Sequence, residues 1–93
     1  MVTAIVLLEV DRERITEVAE QLAELPGIAE VYSVTGRFDL VAILRVKATE
    51  DMSDVVTKQM VGIAGIRKTE TMLALSVHSR HDLEGMFALG FTD

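Results

Sequence analysis

A pattern in the first half of this chain returns 38 residues later. Ala4-Ile5 is echoed by Ala42-Ile43, Asp11 by Thr49, Val18 by Val56, Leu22 by Met60, and Gly27-Ile28 by Gly65-Ile66. Each unit reads as strand, helix, Gly-Ile, strand. Two units are too few to stack into a solenoid. In tandem they spell β-α-β-β-α-β, the split βαβ or ferredoxin-like plan. The expected fold class is therefore α+β, a four-stranded antiparallel sheet with two helices on one face.

The residues support each element in turn. Thr3 to Val10 reads as a strand, and Ala4-Ile5-Val6-Leu7-Leu8 is apolar without alternation, which suits a strand covered on both faces. Asp11 is a candidate helix N-cap. Ile15, Val18, Ala19 and Leu22 then recur at helical spacing, opposite Glu13, Glu17, Glu20, Gln21 and Glu24. Pro26-Gly27 stops that helix. Ile28 to Thr35 and Leu40 to Lys47 read as two strands. In the second of them Leu40, Ala42, Leu44 and Val46 face one way, and Val41, Ile43 and Arg45 the other. A second helix is expected from about Glu50 to Ala64, with Thr49 as its N-cap and Met52, Val55, Val56, Met60 and Ile63 as its buried stripe. The last strand is expected from Thr69 to about Ser79. It places Leu73, Leu75 and Val77 opposite Met72, Ala74, Ser76 and His78.

That plan leaves one face of the sheet without helices. In a lone subunit that face meets water and is normally polar. Here the strands leave too few polar residues to line it. Burying apolar surface stabilises by about 25 cal/mol per Å², and a contiguous apolar patch usually marks an interface. The expectation is a homodimer with sheets face to face, a dimeric α/β sandwich or barrel. A chain of 93 residues is one domain with a modest core, so support from self-association fits its size. Residues 1–80 hold that domain. Residues 81–93 stand outside the repeat, and Leu83, Met86, Phe87, Leu89 and Phe91 are too apolar for a solvated terminus. Two roles fit this tail: an oligomerisation arm, or a cap on its own subunit.

Charge and composition remove several function classes. The net charge of −6 argues against a broad basic footprint, so no direct contact with nucleic acid is expected. There is no cysteine, hence no disulfide framework and no thiolate metal site, which fits a reducing cytoplasm. The apolar N-terminus lacks a basic leader and is too short to span a bilayer. The expectation is a cytoplasmic protein with no membrane partner. His78 and His81 have no evident third ligand and read as a surface pair, so no metal is expected. No phosphate-binding glycine loop and no nucleophile elbow are present, so neither a cofactor nor a catalytic residue is assigned.

The stretch with the most chemistry is the turn between the second and third strands. Gly36-Arg37-Phe38-Asp39 has the length of a hairpin loop, and Gly36 can take the positive φ such turns require. Asp39 is an acid at the start of an apolar strand. One role for it is bonding its own turn amides. The other is pairing with an ammonium group while turn amides hold the matching carboxylate.

Val34-Thr35-Gly36-Arg37-Phe38-Asp39-Leu40 resembles the V-T-G-x-x-D-hydrophobic signature of the effector-binding domain, often called RAM, of the leucine-responsive/asparagine (Lrp/AsnC) regulators. Leu25-Pro26-Gly27-Ile28 and the run Gly65 to Thr71 match the same pattern, so the resemblance covers roughly residues 3–80. It implies an amino-acid effector held between subunits, where the hairpin of one meets the segment entering the last strand of another. The positions so implied are Gly36, Arg37, Phe38, Asp39, Thr69 and Thr71. Arg37 and Phe38 occupy variable positions of the motif, where they would tune selectivity. The resemblance also implies dimers that join into octamers or decamers. In the full-length regulators a winged helix-turn-helix domain precedes this one. With its first strand starting near residue 3, the chain reads as a stand-alone form that acts on transcription through a partner, such as a full-length relative. The alternative is a small dimeric α+β barrel enzyme of the cofactor-free monooxygenase type. That reading needs a proton-transfer residue in a pocket, and no acid–base pair is evident. A purely structural oligomer is the third reading.

Overall fold

The computed structural model describes residues 1–80. The chain runs through β1 (Val2–Val10), a 3-10 turn (Arg12–Arg14), α1 (Ile15–Ala23), β2 (Ile28–Ser33), β3 (Leu40–Val46), α2 (Thr49–Asp54) and β4 (Ile66–Leu73). Beyond Asp54, α2 continues as a π turn (Val55–Gln59) and a 3-10 turn (Met60–Gly62). The strand order is β2-β3-β1-β4, with every neighbouring pair antiparallel. This is the ferredoxin-like plan, built as an open sheet. β2 and β4 begin at Ile28 and Ile66, so the repeat in the sequence is a repeat in the structure.

The pleat sorts the central strands into two sets. Ala4, Val6, Leu8 and Val10 of β1, with Leu40, Ala42, Leu44 and Val46 of β3, are buried under the helices. They pack with Val18 and Leu22 of α1 and with Met52, Val55, Met60 and Ile63 of the second helical segment. The alternate residues Ile5, Leu7, Val41 and Ile43 are only half-buried. Within one subunit β1 is therefore covered on one face, not on both. On the open face Met72, Ile5 and Ile43 lie in one row across the strands, and Leu7, Val41 and Tyr32 in the next. Glu30, Glu70, Glu9 and Lys68 take neighbouring positions on this face, which places charge around an apolar centre.

Three local features depart from the sequence reading. Asp11 makes no side-chain cap bond. Its carbonyl accepts the Arg14 amide at 2.8 Å, which closes a 3-10 turn and delays the α-helix to Ile15. Its carboxylate lies 3.8 Å from Arg67 Nε instead. Second, α2 starts at Thr49 itself, with Ala48 in the cap position. It loses α geometry where Val55, Val56 and Thr57 follow in sequence, a β-branched run that crowds the preceding turn. Thr57 Oγ1 donates to the Ser53 carbonyl at 2.6 Å, a back-bond that bends helices. Third, β4 starts at Ile66 and ends at Leu73. One more rung follows, from the Ala74 amide to the Thr3 carbonyl at 2.9 Å, and Leu75 and Val77 beyond it are exposed. Among the described residues no helix is long and apolar enough to cross a membrane. The expected arm or cap, residues 81–93, lies outside the described residues.

Candidate functional site

The hairpin is closed from both sides of Asp39. The Val34 amide donates to the Asp39 carbonyl at 3.1 Å, and the Asp39 amide donates to the Leu8 carbonyl at 2.9 Å. Asp39 thus prolongs β3 along β1. Gly36 has a φ of 112°, a conformation L side chains rarely adopt. A Cβ built there would meet nothing within 4 Å, so the backbone conformation and not crowding calls for glycine. The Arg37 guanidinium sits 5.4 Å from the centre of the Phe38 ring, in cation–π range. Arg37 is exposed and Phe38 half-buried.

The Asp39 side chain does not bond its own turn amides. Its Oδ2 accepts the Val10 amide at 2.8 Å, across a sequence separation of 29 residues. At Glu9/Val10 the register of β1 against β4 shifts, and the carboxylate supplies an acceptor at that irregular strand end. A carboxylate can accept about four hydrogen bonds, so one amide leaves capacity for an ammonium group. Among the described residues the amides of Gly36, Arg37 and Phe38 donate to no protein acceptor. Nearby, Glu30 raises the pKa of the Tyr32 phenol, first by hydrogen bonding and then by its charge.

Thr69 and Thr71 lie opposite Leu8 and Val6, whose side chains face the helices. Both threonines therefore belong to the helix side of an exposed edge strand. Asp39 precedes the helix-facing Leu40 and belongs to the other alternation. β1 separates β3 from β4, so these strands stand two spacings apart, roughly 10 Å. One subunit places the hairpin and the start of β4 at the same end of the sheet but does not bring them together.

The sequence reading missed a cleft of about 260 Å³ beside Thr69. It lies between the end of the second helical segment and β4, lined by Val56, Met60, Val61, Ile63, Ile66, Arg67 and Lys68. The helical spacing of Val56, Met60 and Ile63 signalled core, and periodicity carries no sign of a gap next to core. A second cleft of about 280 Å³, with Gly27, Val46, Asp51, Asp54 and Gln59 in its lining, holds none of the sequence-derived site residues. Among the described residues no group of three or more His, Cys, Asp or Glu side chains is placed to hold a metal. His78 Nε2 lies 3.2 Å from Ser76 Oγ, and His81 is outside the described residues.

Sheet order, helix placement and hairpin define a ferredoxin-like α+β domain with a polar loop at one end of its sheet. The sequence profile of the Lrp/AsnC ligand binding domain matches residues 3–83, and the chain belongs to that family. The HTH-type transcriptional regulator FL11 of Pyrococcus furiosus is 38% identical over 78 residues, covering 83% of this chain and 50% of the relative. The chain spans about half the length of the curated relatives it matches. The crystal structure of TTHA0845 from Thermus thermophilus superposes with a TM-score of 0.81 at 46% identity, over 86% of this chain and all of that one. The transcriptional regulator NMB0573 of Neisseria meningitidis, solved as a complex with L-Met, shares the fold. Its TM-score is 0.73 at 13% identity, over 85% of this chain and 54% of that one.

Proposed function

We propose that this chain is an amino-acid-binding regulatory module of the Lrp/AsnC type, which holds its effector between subunits of a homo-oligomer. The observation that carries the reading is the hairpin. One short loop offers the Asp39 carboxylate and the unpaired amides of Gly36, Arg37 and Phe38. A zwitterion needs such a pairing, an anion for its ammonium and N–H donors for its carboxylate. Thr69 and Thr71 of a neighbouring subunit complete the site. Two copies pair through the open sheet face, and the pairs assemble further into an octamer or decamer. The relatives' names are those of regulators, which supports a binding role over the monooxygenase alternative.

An effector that bridges subunits stabilises the assembly to the extent that it prefers that state. The transcriptional effect then runs through a DNA-binding segment of the kind the relatives' names specify, reached by co-assembly with a full-length relative in the cytoplasm. The test is a thermal-shift screen of the standard amino acids on the chain and on Asp39→Asn. At least one amino acid raises Tm for the chain, and that response disappears in the variant. An equal response in both removes Asp39 from the site. Native mass spectrometry of the chain mixed with a full-length relative tests co-assembly, and separate homo-oligomers alone count against it.

A further inference from the structure

The cleft of about 280 Å³ lies at the end of the sheet opposite the hairpin. Gly27 leads into β2 there, Val46 closes β3, and α2 with its π turn lies across them. Val46 and Val55, both buried, give the cleft an aliphatic floor. Gly27 rests bare backbone on that floor: a Cβ there would stand 2.8 Å from Val46 Cγ1 and 3.4 Å from Val55 Cγ2. The volume suits a molecule of a few carbons, below the roughly 300–1,000 Å³ of pockets for larger ligands. What sets this cleft apart is Gln59 in its lining. The Gln59 Oε1 is enclosed and finds no hydrogen-bond partner among the described residues. An acceptor left in that state costs free energy, and a donor entering the cleft removes the cost. Gln59 is the last residue of the π turn Val55–Gln59, a rare geometry that recurs at functional sites.

Two carboxylates share the lining, Asp51 and Asp54. Lys58 engages Asp54 at 3.2 Å, but both side chains are more than half exposed and such a contact is readily exchanged. Asp51 has no ion pair among the described residues. On the strand side, Arg45 falls in the open-face alternation with Val41 and Ile43, and its charge reaches the Tyr32 phenol. The helix side therefore offers acceptors, and the most enclosed of them lacks a donor. Asp51 and Gln59 are about two helical turns apart, so these acceptors sit towards two ends of the cleft and not at one point. We propose that the cleft is a second ligand site, for a short aliphatic diamine. One ammonium donates to Gln59 Oε1, the other pairs with the Asp51 carboxylate, and the methylenes between them cover Val46 and Val55. An ammonium carries three N–H donors and no acceptor, which matches a wall of acceptors. The apolar stem takes the floor out of water. This site goes beyond amino-acid binding at the hairpin and does not rest on it.

The test is isothermal titration of the full chain with 1,4-diaminobutane, butylamine and butanoate at matched ionic strength. The diamine binds saturably, one per chain. Butylamine binds about tenfold weaker, because it lacks the second charge-assisted bond. Butanoate gives no heat of binding. Gln59→Met keeps the shape and removes the orphan acceptor. It weakens the diamine about tenfold, while the Tm of the free chain holds or rises because a buried group without a partner is gone. Asp51→Asn also weakens the diamine about tenfold, with thermal unfolding unchanged because the position is exposed. Butanoate binding as tightly as the diamine would make Lys47, also in the lining, the operative group and overturns the proposal. Unchanged diamine affinity in either variant places the diamine elsewhere on an acidic chain and overturns it as well. So does an absence of saturable binding by 1,4-diaminobutane, which leaves solvent as the partner of Gln59.

Discussion

The Asp39 carboxylate and the Val10 amide, 29 residues apart in sequence, meet at 2.8 Å and tie the hairpin to the end of β1. The acid proposed to receive the ligand also closes the fold. These roles separate experimentally, because asparagine keeps an acceptor oxygen and discards the charge. Asp39→Ala is expected to destabilise the subunit by about 1.5–3 kcal/mol, the usual loss for a hydrogen bond to a charged group. Asp39→Asn is expected to cost about half that or less and still abolish the amino-acid response. Urea unfolding at fixed protein concentration checks the first figure. Equal destabilisation by both variants would mean that charge, not the hydrogen bond, secures Val10.

Gly27 and Gly36 both have positive φ, 92° and 112°, but different surroundings. A Cβ on Gly27 would stand 2.8 Å from Val46 Cγ1, whereas one on Gly36 would meet nothing. Gly36→Ala therefore carries backbone strain alone, about 1–3 kcal/mol. Gly27→Ala adds a clash with a buried valine, and its total is expected to exceed that of Gly36→Ala by about 1 kcal/mol or more. Denaturation midpoints of the two variants give the order directly, and the reverse order would rule out the packing explanation.

Asp11 shows where sequence logic stops. An acid ahead of an amphipathic run signals a cap, yet the chain inserts a 3-10 turn and Asp11 faces Arg67 at 3.8 Å. A lost N-cap costs about 1 kcal/mol. An ion pair with side chains 67% and 51% exposed is worth a fraction of that. Asp11→Ala is therefore expected to change stability by less than about 0.5 kcal/mol. A loss near 1 kcal/mol would restore the cap.

What was legible divides along physical lines. Periodicity and the repeat report on local backbone, so Leu40 to Val46 sorted into its two faces, whereas the unbroken apolar run Ala4 to Leu8 gave no sign of which side chains meet the helices. The hairpin was legible because Gly36 and the strands around it form a local signal. The Asp39–Val10 bond was not, because it joins distant segments through a register shift that no spacing records. The cleft beside Thr69 was hidden for a related reason. Val56, Met60 and Ile63 keep helical spacing in the sequence, while the backbone from Val55 departs from α geometry, and the cleft lies along that segment and β4.

Ile43 and Leu44 are consecutive in β3 and test the two faces of the sheet separately. Leu44 is fully buried under the helices, and Ile43 sits on the open face between Ile5 and Glu30. Leu44→Ala removes core atoms, so it is expected to lower subunit stability by about 2–5 kcal/mol. Ile43→Lys leaves that core intact and puts a charge into the surface proposed to pair two copies. A two-fold interface uses each position twice. Losing the burial of two isoleucines, at about 1.5–3 kcal/mol each, removes roughly 3–6 kcal/mol per dimer. The dimer Kd then rises by about a hundredfold to ten-thousandfold. Sedimentation equilibrium over a dilution series reads this as a shift towards monomer for Ile43→Lys, while circular dichroism stays that of the folded domain. If the unmodified chain sediments as a folded monomer at every concentration, the open face is not a pairing surface. The two-subunit effector site would then lack the assembly it requires.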